Sequence, residues 1–388
     1  MTKLNLFECP NCGEEIHMEL SKPLPASKKH LVSKSDDTLK ETQKEEISEE
    51  NKKPEENFKS RKAKLQKQIK DLEKALKNSC NSEKLTNMPW HHRIPPAMNR
   101  SSGRMYSGEN MWLLWRICKE NNYSKNNWAT IYQWGKMRAK VKKGEKSTLI
   151  KIFIPQKNFG QIELENKDYE HQEQDINGFF VRYYNIFNAD QVEGWYENTN
   201  QTSIWENPEA NPYDSIDKML EKLGVKITHS GDRPEYKVKE DIIKMPYKAS
   251  FSDSHERKGI DAYYSILLQE LIHWTGHFSR CKRIGSNNLS GESGLAFEKM
   301  IAEIGGAMLS TYFHNHVEVR LENTRYLATW KKIINHDIKY LYYAQNQALS
   351  AITWIFQKSN ILPIKIKEKP FYPLNKEQVA FLRSIVED

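Results

Sequence analysis

The 388-residue chain has no run of about 18 apolar residues, and its first segment, MTKLNLFECP, lacks the apolar stretch of a secretion signal. A membrane-spanning helix and a secretory route are therefore not expected, and the sequence reads as soluble and cytoplasmic. Cysteine is scarce: five residues, irregularly spaced, fit reduced thiols and exclude a disulfide framework. Internal repeats are missing, and acidic residues are few between positions 100 and 151. Aromatic residues are not scarce. Ten tryptophans, eighteen tyrosines and fourteen phenylalanines accompany a mean hydropathy of −0.79, so the polarity must lie in charge-rich segments outside the packed regions.

Residues 1–20 hold FECPNCGEEIH, whose C-P-x-C-G turn reads as half a zinc ribbon. Cys9 and Cys12 supply two thiolates and His17 offers a third ligand, but a structural zinc site takes four. No second C-x-x-C follows. Either a partner chain or distant Cys80 completes the set, or the turn holds no metal. Residues 21–86 then turn to Lys, Glu, Ser and Asn, a charged linker that cannot bury enough surface to fold as a globule. Inside it Leu65, Ile69, Leu72 and Leu76 recur at 4-3-4 spacing, which predicts a helix with a narrow apolar seam. That seam suits a short coiled coil with a protein partner, a solvated helix, or a lid on the domain that follows.

Folded sequence is expected from about residue 87. NMWLLWRICKE reads as an amphipathic helix and NNWATIYQWGKMRA as a second, capped by Asn126 and Asn127; TLIKIFIP and GFFVRYYNIFNADQVEG read as strands. WENPEANP marks a boundary near 210. Beyond it YDSIDKMLEKLG predicts a helix closed by Gly224, VKITHS and DIIKMP short strands, and the rest mostly helix. The fold class is α+β: a small α+β domain over 87–205, then a helix-rich domain over 210–388.

Between Arg100 and Lys151 twelve basic residues face three acids, interleaved with Tyr106, Trp112, Trp115, Tyr123, Trp128, Tyr132 and Trp134. Cations neutralise phosphates and open aromatic faces stack on unpaired bases, so this composition suits single-stranded nucleic acid. The alternative is that these tryptophans simply build a core.

In the second domain, YYSILLQELIHWTGH stands one residue from the H-E-x-x-H zinc helix: Gln269 replaces the first ligand while Glu270 and His273 remain. An amide oxygen is a poor zinc ligand.

SGRMYSGENMWLL, NNWATIYQWGKMRAKVKKGEKS and RYYNIFNADQVEG resemble the signature segments of the N-terminal domain of ArdC antirestriction proteins, and DIIKMP, YYSILLQELIHWTGH and FEKMIAEIGGAML resemble the pattern of the domain that follows it. The resemblance implies a single-stranded-DNA-binding domain joined to a zincin-like metallopeptidase domain, as found on mobile genetic elements. Residues named for DNA binding are Arg104, Tyr106, Asn110, Trp128, Gln133, Lys142, Lys143 and Lys146. The family's Glu-Glu-x-x-Ala-Glu reads here Glu298-Lys299-Met300-Ile301-Ala302-Glu303, which puts Lys299 at a ligand position. Two readings follow. In one the domain has lost metal and activity, zinc is not expected at the 269/273 site, and Lys299 replaces the cation, pairing with Glu303 and Glu270. In the other an active zinc metallopeptidase uses Gln269, His273 and Glu298, with Glu270 as general base.

Overall fold

The computed structural model describes residues 7–8, 15–16, 38–82, 84, 88–91, 95–155, 171–174, 179–195, 211–255, 258–283, 291–318, 320–360 and 377. The chain divides into two compact units, Met1–Glu56 and Asn57–Asp388. In the first, β1 (Phe7–Glu8) pairs antiparallel with β2 (Glu15–Ile16). Cys9, Cys12 and His17, the expected half ribbon, lie outside the described residues. The long helix α1 (Thr38–Cys80) ends in the second unit.

There Leu65, Ile69, Leu72 and Leu76 are all buried in the main hydrophobic core. The seam is thus covered by its own chain. Phe58 packs edge-on against Tyr183, Arg61 bonds Ser147, and Lys77 donates to the carbonyl of Asn335, so residues 57–80 clasp elements of both following halves. Cys80 lies in that core, and burial pushes its thiol up to about 12.

The first half is built on a sheet of β3 (Met98–Asn99), β4 (Arg104–Met105), β5 (Asn127–Thr130), β7 (Thr148–Pro155), β8 (His171–Gln174) and β9 (Phe179–Asn188), in the order β4-β3-β5-β9-β7 with β8 also on β9. β7 and β9 pair antiparallel from Thr148↔Ile186 to Pro155↔Phe179. Helix α2 (Glu109–Glu120) buries Met111, Trp112, Leu113 and Leu114. The helix expected from Asn127 onward is divided: 127–130 extend as β5, and Thr130 rather than Asn126 or Asn127 caps α3 (Ile131–Lys136) through a reciprocal box with Gln133. Pairing with β9 outweighs the local helical pattern there, as tertiary context often does. β6 (Lys140–Val141) follows and pairs with β10 (Val192–Glu193).

The second half opens with α4 (Pro212–Leu223). Asn211 accepts from the amide of Tyr213, Pro212 fits the first turn, and Gly224 closes the helix at φ 67°. A three-stranded sheet, β11 (Ile227–His229), β12 (Glu235–Lys237) and β13 (Ile242–Met245), places β13 between the other two. Against it lies α5 (Gly259–Thr275), then α6 (Gly291–Tyr312), α7 (Leu327–His336) and α8 (Lys339–Ser359). α5 is buried on nearly every side, not only along the stripe of Tyr264, Leu267, Leu268, Leu271 and Ile272. α6 approaches it through two glycines: a Cβ at Gly306 would stand 2.3 Å from Gln269 Cγ, and one at Gly305 2.8 Å from Ile272 Cγ1. Among the described residues no helix is long and apolar enough to cross a membrane.

Candidate functional site

The QELIH segment occupies the closed centre of the second half. Gln269 is 2% exposed and Glu270 1%. The Gln269 amide donates to the carbonyl of Glu318 at 3.2 Å. Glu270 accepts from the backbone N–H of Tyr236 at 2.8 Å and from the guanidinium of Arg320. Burial alone would raise the Glu270 carboxyl, yet the positive charge around it, from His273 when protonated, from Arg320 and from Lys299, holds it below its ordinary value. His273 sets Nδ1 3.2 Å from Glu298 Oε1. Burial and the charge of Lys299 push its imidazole below the usual range, favouring the neutral ring. Glu298 faces Arg283 with both oxygens, at 3.0 and 3.3 Å. Against its burial, Arg283 and the His273 bond carry Glu298 down to about 2.

Lys299 is half-buried, and its charge acts on both Glu270 and His273. Glu303 meets His91 Nε2 at 2.9 Å and accepts from Asn323. His91 comes from the short 3-10 turn Pro89–His91 ahead of the first half, a partner that spacing along the second half did not suggest. Arg320 and Arg283 were also missed, since neither belongs to a motif. His277 contacts the hydroxyl of Ser279 beyond the end of α5.

These residues do not fit a zinc ion. A ligand set needs free lone pairs converging on one point. Here Glu270 and Glu298 are committed to arginines, the Gln269 amide turns to a carbonyl, and three cations, Arg283, Arg320 and Lys299, already face two carboxylates. Among the described residues no group of three or more His, Cys, Asp or Glu is arranged to hold a metal.

In the first half the residues expected to touch DNA separate into two sets. Trp128 is fully buried, its indole N–H bonded to Asn126 at 2.7 Å. Tyr106 is 7% exposed and accepts from Asn99; Asn110 donates to the Lys151 carbonyl at 2.7 Å. In this structure all three are closed in the fold, where a ring or amide presents little face to a base. Gln133 is taken up by the α3 cap and by Asn99, and Arg104 is half-buried on β4. Lys142, Lys143 and Lys146 are placed on the turn at Gly144, whose φ of 91° suits glycine, and all three are exposed. Lys142 also donates to the Asp190 carbonyl.

Both halves have known counterparts. Residues 63–187 match the N-terminal domain of anti-restriction factor ArdC, and residues 214–347 match a zincin-like metallopeptidase domain. The chain thus joins a domain similar to the N-terminal domain of ArdC to a zincin-like domain. An uncharacterized protein, y4eC of Sinorhizobium fredii, is 29% identical over 271 residues, covering 69% of this chain and 84% of that one. The DNA primase TraC of Escherichia coli is 29% identical over 237 residues, but the match spans only 15% of that primase. The Mn(II)-bound crystal structure of antirestriction protein ArdC from plasmid R388 superposes with a TM-score of 0.52 at 25% identity, covering 75% of this chain and 97% of that one. The metal-free structure gives 0.53 at 24%, which speaks for the fold alone.

Proposed function

We propose that this chain is an ArdC-like protein that binds single-stranded DNA through its first half and whose zincin-like half works as a scaffold without a catalytic metal. The observation carrying the first part is the basic run after α3 begins: Lys136, Arg138, Lys140, Lys142, Lys143 and Lys146 all face solvent, and one carboxylate, Glu145, interrupts the series. Exposed cations of one sign neutralise a phosphate backbone. The second part rests on Arg320 and Lys299 standing where a metal site needs open ligands. Whole protein should bind an oligothymidylate more tightly than duplex, with affinity falling steeply as salt rises, and should hydrolyse no peptide. Equal affinity for duplex would overturn the DNA reading.

A second reading is favoured by the Mn(II)-bound relative: a metallopeptidase using His273, Gln269 and Glu298. One equivalent of metal lost on His273→Ala but kept on Cys9→Ser would establish it. Zinc, where this protein takes it up, belongs at Cys9 and Cys12, with ligands completed from another segment or a partner chain.

A further inference from the structure

The segment WATIYQWGK resolves into inward and outward positions. Trp128 and Trp134 are fully buried, and Thr130 and Gln133 close the cap of α3. Trp134 anchors a small separate core with Ala129, Ala139, Ala189 and Val192. What the fold leaves outside are the two residues between: Ile131 at 62% and Tyr132 at 55% exposure. Tyr132 is one turn before Lys136, whose ammonium lies 4.4 Å from the ring centroid. α3 packs on β6, and the chain runs directly from it into the lysines ending at Lys146.

Two adjacent exposed apolar side chains cost solubility and do nothing for packing here. Their setting identifies the occupant. A protein surface with an ordinary charge mix gains nothing from a run of cations beside a tyrosine, whereas a polyanion with flat apolar faces matches both features. A duplex hides those faces in its stack; a single strand presents them. We infer that Tyr132, with Ile131 beside it, is the base-stacking platform of this protein, where an unpaired nucleobase lies on the open side of the ring and Lys136 meets the adjoining phosphate. The inference rests on the single-strand reading above and assigns the base contact to residues other than Tyr106 and Trp128. Stacking of this kind is tolerant of sequence, because every base has a π face.

The experiment compares an oligothymidylate of about 16 nucleotides with an abasic oligomer of the same length, a probe size drawn from typical single-strand footprints. Whole protein, Tyr132→Ala, Tyr132→Leu and Tyr132→Phe are titrated by fluorescence anisotropy, and their melting temperatures are measured alongside. Wild type should prefer the base-bearing strand. Tyr132→Ala and Tyr132→Leu should each lose roughly five- to a hundredfold in affinity for it, keep their affinity for the abasic strand, and melt as wild type does. Tyr132→Phe should bind as wild type. If wild type prefers the base-bearing strand and Tyr132→Leu keeps that preference, the platform is elsewhere and this inference fails while the DNA reading stands. Equal losses on both strands would also overturn it, since the ring would then serve only to hold the lysines. No binding of either strand by wild type would defeat the DNA reading itself. Dissociation of an oligomer by Tyr132→Leu, with DNA affinity unchanged, would make the patch a contact between copies and end the proposal.

Discussion

The two halves dispose of charge in opposite ways. From 131 to 146 the tryptophan is inside and most of the cations are outside; around α5 and α6 the cations and carboxylates are inside and paired. Exposed charge of one sign remains available to a partner. Buried charge that is already compensated is not, since opening it would leave an ion without solvent or counter-ion. On the proposed reading, one half keeps a surface for a partner while the other uses its motif residues as structure.

The largest expected change breaks that contrast by reopening the buried half. Gln269→His supplies an imidazole, and Lys299→Glu removes a cation while adding a carboxylate. Each change alone should bind zinc weakly; together with His273 they supply three ligands, so the gain in zinc affinity must exceed the sum of the single effects. Isothermal titration on the whole protein reads it. Simple additivity would show that Lys299 does not stand in the metal's place. Peptidase activity should still be absent from the double variant, because Arg320 continues to hold Glu270.

Next in size is the pair Glu270 and Arg320. Glu270→Gln leaves Arg320 buried with its charge uncompensated, and the expected loss is about 3–5 kcal/mol in urea unfolding. Replacing both by apolar residues should recover much of it. A loss below about 1 kcal/mol would mean that solvent reaches the pair and that the site is more open than its burial indicates.

The same contrast explains what could be read in advance. Gly224 and the strands at 148–155 and 179–188 were legible because each signal is local. The division of 127–136 into strand and helix was not, since the competing partner, β9, lies 56 to 60 residues further along the chain. Likewise the substitution at 269 and the cation at 299 are visible in the motif, whereas Arg320, Arg283 and His91 reach the site only through the fold and obey no spacing rule. Composition correctly marked a basic and aromatic segment, but it could not say which aromatic faces point outward.

A smaller effect separates fold from binding within the first half. Alanine at Lys142, Lys143 and Lys146 together should flatten the dependence of DNA affinity on salt, by about 0.7 for each phosphate no longer neutralised, with melting unchanged. Trp128→Phe should do the reverse, lowering stability by about 1–3 kcal/mol because the bond to Asn126 disappears and a space is left behind, with the salt slope intact. A shift of the slope by Trp128→Phe would return that residue to the DNA surface.

The smallest effect concerns a charge pair at the boundary between buried and open. Arg280 grips both oxygens of Asp241, lies 3.8 Å from the Trp274 ring, and shares Asp241 with the Tyr236 hydroxyl. Burial would raise the Asp241 carboxyl, but the Arg280 and Tyr236 bonds hold it below its ordinary value. A carboxyl whose folded value is depressed adds stability above its unfolded value and loses it as pH falls through the folded one. The pair should therefore contribute fully above about pH 4 and fade below it. Since Asp241 keeps 40% of its side-chain exposure, solvent screening limits the contribution to about 1 kcal/mol or less. Asp241→Asn should lower the melting temperature slightly at pH 7 and leave it almost unchanged near pH 3. An equal deficit at both values would show that the loss comes from hydrogen-bond geometry rather than charge, placing Asp241 with the buried ionic structure of this half instead of at its screened edge.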